Sequence, residues 1–156
     1  MALKVNTIAP DFTIFDDSNN QVSLSDFKGK WVVLYFYPKD NTPGCTKEAC
    51  DFQEDLRLFN NLNAEILGIS PDSVKSHVNF KTKYKLDFKL LSDTEKEICK
   101  LYDILAEKSM FGKKYTGVVR TTYIINPEGE IVWVKSKVKV FGHINEVKET
   151  LKMLQV

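Results

Sequence analysis

Seven consecutive residues constrain this chain more than any others: Trp31-Val32-Val33-Leu34-Tyr35-Phe36-Tyr37 form an unbroken β-branched and aromatic run, and Pro38 ends it. A strand with one wet face alternates apolar and polar residues, so a continuous apolar run belongs to a central strand covered on both faces. Proline stops the run because it lacks the N–H that a ladder requires. The chain must therefore supply further strands beside this one and helices above and below. Ala64 to Ser70 reads as a second buried strand, and Leu90-Leu91-Ser92 as a short third one.

Helical spacing fills the gaps between them. Ala49, Phe52, Leu56, Phe59 and Leu62 recur at helical intervals, which predicts one helix over Cys45 to Leu62. Asp72 or Ser73 caps a helix carrying Val74, His77, Val78 and Tyr84, and a further helix carries Ile98, Leu101 and Tyr102. Asp11 to Phe15 and Val22 to Leu24 pair across a polar turn, Thr121 to Asn126 and Glu130 to Lys135 form a hairpin around Pro127-Glu128-Gly129, and Ile144 to Leu154 closes the chain as an amphipathic helix. This order implies an α/β chain, one domain over residues 1–156, with a mixed central sheet, helices on both faces and an N-terminal β extension. A thioredoxin-like fold fits best, another doubly wound fold being the alternative. No Gly-x-Gly-x-x-Gly or Walker loop follows any strand, so no nucleotide cofactor is expected.

Composition narrows the partners. Lys plus Arg (22) nearly balances Asp plus Glu (21), so no strong field draws the chain to nucleic acid or to an anionic membrane. A small molecule or another protein is the expected partner. The N-terminus carries no signal-like apolar run, and no stretch approaches the ~20 residues of a membrane span, which makes a cytoplasmic protein the expectation. Three cysteines are too few, and odd in number, for a disulfide framework, and in a reducing compartment any disulfide is transient.

Cys45 stands where chemistry is expected. A cysteine in the first turn of a helix that leaves a buried strand meets unpaired N–H groups and the positive end of the helix dipole, which favour a thiolate. Pro43 sets the entry to the helix, and Gly44 allows close approach of a small substrate. Cys50 follows five residues later. On an intact helix the two Cα atoms are about 8.7 Å apart, whereas a disulfide tolerates roughly 4.4–6.8 Å. If both lie on the helix, they bridge only after its first turns unwind. Spacing alone suits two packed core cysteines as well as a reactive pair. It suits zinc poorly, because no second ligand pair follows and His77 and His143 are isolated, so no metal is expected.

The segment Tyr35 to Cys50, with Pro38-x-x-x-Thr42-x-x-Cys45 and a second cysteine five residues on, resembles the active-site segment of peroxiredoxins of the bacterioferritin comigratory protein (PrxQ) subfamily. Ala9-Pro10-Asp11-Phe12, Gly68-Ile69-Ser70-Pro71-Asp72, Gly117 to Tyr123 and Val138 to His143 extend the resemblance over nearly the whole chain. It implies a thiol-dependent peroxidase of hydrogen peroxide and alkyl hydroperoxides. Cys45 would become a sulfenic acid, Cys50 would condense with it, and thioredoxin or a similar dithiol would reduce the disulfide. It also implies that Arg120 holds the thiolate and the peroxide oxygens, that Thr42 offers its hydroxyl, that Pro38 shields the sulfur, and that the protein is a monomer. Glu48 matches a recurring acidic position that suits either an orienting role toward Arg120 or a solvated first turn. It stands outside the expected catalytic set, and Cys99 reads as a core cysteine. Tyr123 departs from the family pattern, where phenylalanine is common. Cys-x4-Cys argues against a general disulfide exchanger, for which Cys-x-x-Cys is expected. A redox-switched holdase exposing Phe52 stays open as a side activity.

Overall fold

A computed structural model describes residues 2–156. Its centre is the strand the apolar run requires, β4 (Trp31–Phe36), in an eight-stranded sheet. The other strands are β1 (Thr7–Ile8), β2 (Thr13–Asp16), β3 (Gln21–Ser23), β5 (Ala64–Ser70), β6 (Lys89–Ser92), β9 (Thr121–Ile125) and β10 (Glu130–Lys135), and the order across the sheet is β1-β10-β9-β4-β5-β6-β2-β3. β4, β5 and β6 are parallel neighbours, while β9 runs antiparallel to β4. A separate hairpin pairs β7 (Leu105–Met110) with β8 (Lys113–Val118). The helices are α1 (Pro43–Glu54), α2 (Leu56–Asn61), α3 (Val74–Tyr84), α4 (Glu97–Leu101) and α5 (His143–Leu154). This is the mixed sheet and thioredoxin-like order expected, with β2, β3 and the short β1 forming the N-terminal extension.

The two-residue alternation of β4 divides the core in two. Val32, Leu34 and Phe36 join Leu67, Ile69, Tyr102 and Tyr123 on one face. Val33, Tyr35 and Tyr37 point the other way and pack with Ala49, Phe52, Phe59 and, in the same cluster, Cys45. The cysteine is thus a member of the second core, delivered there by the loop that leaves β4.

Three local features refine or correct the sequence expectations. The single helix expected over Cys45 to Leu62 is two, because Asp55 leaves helical geometry (φ −101°, ψ 11°) and interrupts the backbone pattern while the apolar spacing runs on across it. Ser73, not Asp72, is the N-cap of α3, its hydroxyl accepting from the Ser76 amide; Asp72 instead accepts from the Asp40 amide. Val78 and Leu101 are exposed, and the buried positions of α3 are His77 and Phe80. Among the described residues no helix is long and apolar enough to cross a membrane.

Candidate active site

The path from β4 to α1 sets the geometry. Tyr37 still belongs to the ladder, its amide donating to Ile69 O. Pro38 is half-buried and begins the loop, and Asn41 takes a left-handed turn (φ 62°). Thr42 is the N-cap residue, Pro43 the first helical residue, and Thr46 N to Thr42 O (2.9 Å) the first intrahelical bond. The amides of Gly44 and Cys45 therefore sit at the N-terminal end, where a helix leaves N–H groups free. Thr42 caps only by position. Its hydroxyl donates to Lys39 O (2.8 Å) and makes no capping bond, so its oxygen lone pairs stay available.

Cys45 is buried, 1% exposed, and its sulfur accepts a hydrogen bond from Arg120 Nη2 at 3.2 Å. Arg120 arrives from the turn between β8 and β9, and Val138 N, donating to Arg120 O (3.0 Å), backs it from the far side. Its other terminal nitrogen, Nη1, donates to Glu48 Oε1 at 2.6 Å. The guanidinium thus bridges Cys45 and Glu48, which lie three residues apart on one face of α1. Burial works against the arginine charge, but Glu48 and Cys45 outweigh it and raise its pKa.

Glu48 is fully buried and its Oε2 has no hydrogen-bond partner. Burial raises its pKa to about 7 against the pull of Arg120. The carboxyl is therefore part of the site, not the solvated first-turn residue that the sequence left as an alternative. Its three-residue offset from Cys45 was the available signal. Gly44 is also explained here: a Cβ at that position would stand 3.2 Å from Arg120 Nη2, so the close approach it allows is to the guanidinium.

Cys50 lies in α1 with Cys45, and all three cysteines are free thiols. Cys50 is half-buried, and burial followed by the charge of Asp51 pushes its thiol up. Continuous helix between the two cysteines means that the unwinding condition set by the spacing applies. Cys99 is fully buried in α4, and burial together with Asp93 pushes its thiol well above the usual range. His77 and His143 are likewise buried and bonded away from the cysteines, the first to Asp40 and Leu91 O, the second to Thr122 Oγ1. Asp40, Asp72 and His77 bring ligand-type atoms within 4.8 Å of one another, but protein donors and acceptors already engage them.

A cysteine at the N-terminal turn after a central strand, bridged by arginine to a carboxyl, on a thioredoxin-like sheet, defines a thiol-based oxidoreductase. The comparisons give the family: residues 5–134 match the AhpC/TSA family, and the chain belongs to it, within the peroxiredoxins of the bacterioferritin comigratory protein type. The chain is 51% identical over 147 residues to the putative peroxiredoxin bcp of Coxiella burnetii, covering 94% of this chain and 97% of that one. It is 46% identical over 152 residues to peroxiredoxin Bcp of Bacillus subtilis, covering 97% of each. The structure of the Xanthomonas campestris bacterioferritin comigratory protein, described for its alkyl peroxide reduction activity, superposes with a TM-score of 0.90 at 41% identity, covering 96% of this chain and 98% of that one. The protein is a thiol-dependent peroxidase.

Proposed function

We propose that Cys45 is the peroxidatic thiol, that Cys50 resolves it, and that Arg120, Thr42 and Pro38 complete the catalytic set. The observation that carries this reading is the Arg120 Nη2 to Cys45 Sγ bond at 3.2 Å, because it sets a fixed positive charge on a cysteine in the first turn of α1. The Cys45 thiolate attacks the distal oxygen of the peroxide and the O–O bond breaks. The departing alkoxide or hydroxide takes a proton and leaves as alcohol or water, and Cys45 is left as a sulfenic acid. Negative charge moves from sulfur to the leaving oxygen during this step. Arg120, with the free amides of Gly44 and Cys45, is placed to follow that movement. Thr42, its hydrogen engaged with Lys39 O, can accept the hydrogen of the peroxide.

The Cys50 thiolate then attacks the sulfenic sulfur and expels hydroxide, which is released as water, giving an intramolecular disulfide. A thioredoxin-type dithiol restores both thiols by two exchanges and is itself oxidised. Hydrogen peroxide and alkyl hydroperoxides both fit this scheme. The resemblance supports a monomer, and the continuous sheet supports reading residues 1–156 as one domain.

Stopped-flow reaction with hydrogen peroxide and an alkyl hydroperoxide tests the assignment. Cys45→Ser should abolish the first turnover. Cys50→Ser should complete one turnover and then fail to cycle with the dithiol. Peroxide consumption by Cys45→Ser at the wild-type rate would remove the reading.

A further inference from the structure

The loop that carries Thr42 and Cys45 is held at one point. Asp40 is 4% exposed, and its carboxyl group collects three side-chain partners: Tyr37 OH donates to Oδ1 (2.6 Å), Ser76 Oγ donates to Oδ2 (2.8 Å) and His77 Nδ1 meets Oδ2 (2.7 Å). Its own amide donates to Asp72 Oδ2 (2.8 Å), and that oxygen also accepts from Ser70 Oγ (2.6 Å). His77 is fully buried and its other ring nitrogen, Nε2, meets Leu91 O at 3.0 Å. A carbonyl only accepts, so Nε2 carries a hydrogen. Nδ1 and Asp40 Oδ2 then share a second proton, whichever of the two holds it. One short loop is thereby tied to β4 through Tyr37, to the end of β5 through Ser70 and Asp72, to α3 through Ser76 and His77, and to β6 through Leu91.

The opposite side of Cys45 is held differently. Its buried ties are Glu48, bonded to Arg120, and Phe52 in the core, and its other side-chain pairs, Lys47 with Asp51 and Gln53 with Asp87, lie at exposed or half-buried positions. Surface pairs of this kind hold weakly. A buried carboxyl group with three hydrogen-bonded partners is expensive to release, because each broken bond leaves a desolvated polar group.

We propose that Asp40 and His77 are positioning residues of the peroxidase, pinning the loop that delivers Thr42 and Cys45 so that the redox-linked unwinding of α1 begins downstream of residue 40. The proposal rests on Cys45 and Cys50 being the reactive pair. In the thiol state the anchor holds Cys45 against Arg120. During disulfide formation it keeps the N-terminal side of the loop stationary, so that Cys50 is the partner that travels.

Two amide substitutions separate the two nitrogens of His77. Asparagine can place its N–H₂ near the position of Nδ1, keeping the bond to Asp40, whereas glutamine can place it near Nε2, keeping only the bond to Leu91 O. In a Cys50→Ser background, which isolates the peroxide step, His77→Gln is expected to lose about tenfold or more in the bimolecular rate, since small misplacements of a reacting group carry penalties of that order. His77→Asn should regain most of that loss. A role confined to filling the core gives the two variants equal rates, and equal rates overturn the proposal. Should both fail to fold, Tyr37→Phe decides. It removes the donor to Oδ1 and keeps the ring, and the bimolecular phase is expected to slow severalfold; an unchanged phase overturns the anchor. Cys45→Ser keeps the two readings apart: peroxide consumption there removes the assignment of Cys45, while loss there beside equal His77 variants removes only the anchor.

Discussion

Arg120 is the residue on which the site converges, and its two ends make different demands. One end meets sulfur at 3.2 Å and the other the Glu48 carboxyl group at 2.6 Å, so the guanidinium is held from two sides. Arg120→Ala should slow the peroxide step by about 10²–10³, the penalty typical of losing a preorganised donor. Gly44→Ala tests the same geometry without removing the charge. The added methyl meets Nη2 at 3.2 Å, tighter than ordinary contact, and the guanidinium must give way. The variant should fold normally, yet react with peroxide roughly tenfold more slowly in stopped flow; a wild-type rate would show that the guanidinium moves freely. Cys45 stood out in the sequence by its place at an expected helix start, whereas Thr42, Pro38 and Arg120 were singled out through the family resemblance. Asp40 and His77 were not, since the two lie 37 residues apart and meet only when α3 packs beside the loop. Tyr123, a departure from the family pattern, is explained by its hydroxyl, which donates to Tyr102 O and accepts from Leu3 N.

Among the elements, α1 must be both firm and able to open. Its C-terminal half is anchored by Phe52, fully buried and 4.7 Å from the Tyr35 ring centroid, with Phe59 and Phe88 also near. Exposing such a side chain costs on the order of 3–5 kcal/mol, judged from Phe→Ala substitutions. Unwinding that stops before Phe52 avoids this cost and still frees Cys50. Oxidation to the Cys45–Cys50 disulfide should therefore speed amide hydrogen exchange over Thr46 to Asp51 while leaving α2 protected. Loss of protection through Phe59 would show that the whole helical pair melts. The break at Asp55 was hidden in the sequence, since Ala49, Phe52, Leu56, Phe59 and Leu62 keep their apolar rhythm across it. The β7–β8 hairpin was hidden for the opposite reason. Most of its residues are exposed or half-exposed, with Gly117 and Val118 buried, so no inward face marks it as a strand pair. β4 was readable because burial on both faces leaves it an unbroken β-branched and aromatic run.

For the whole molecule, two buried groups give stability opposing pH dependences. Glu48 has a folded pKa of about 7, above its ordinary value of 4.5, so the folded chain holds the proton more tightly and stability falls as pH rises from 4.5 to 7. His143 is lowered by burial from 6.5 to about 4, so the unfolded chain takes the proton first and stability falls as pH drops from 6.5 toward 4. The two effects run in opposite directions over the shared window and offset one another. Urea unfolding at about pH 5 and about pH 7 should show a shallow profile for the wild type, stability rising with pH in Glu48→Gln and falling with pH in His143→Gln. Parallel profiles in all three proteins would refute the offset. The antiparallel partnership of β4 and β9 has a temporal side as well. Arg120 follows Cys45 by 75 residues, and on a translating ribosome that distance corresponds to about 4–15 s of synthesis. For that interval the nascent Cys45 is without the cation that stands 3.2 Å from its sulfur in the folded chain, and the proposed site is complete only once Arg120 has been made.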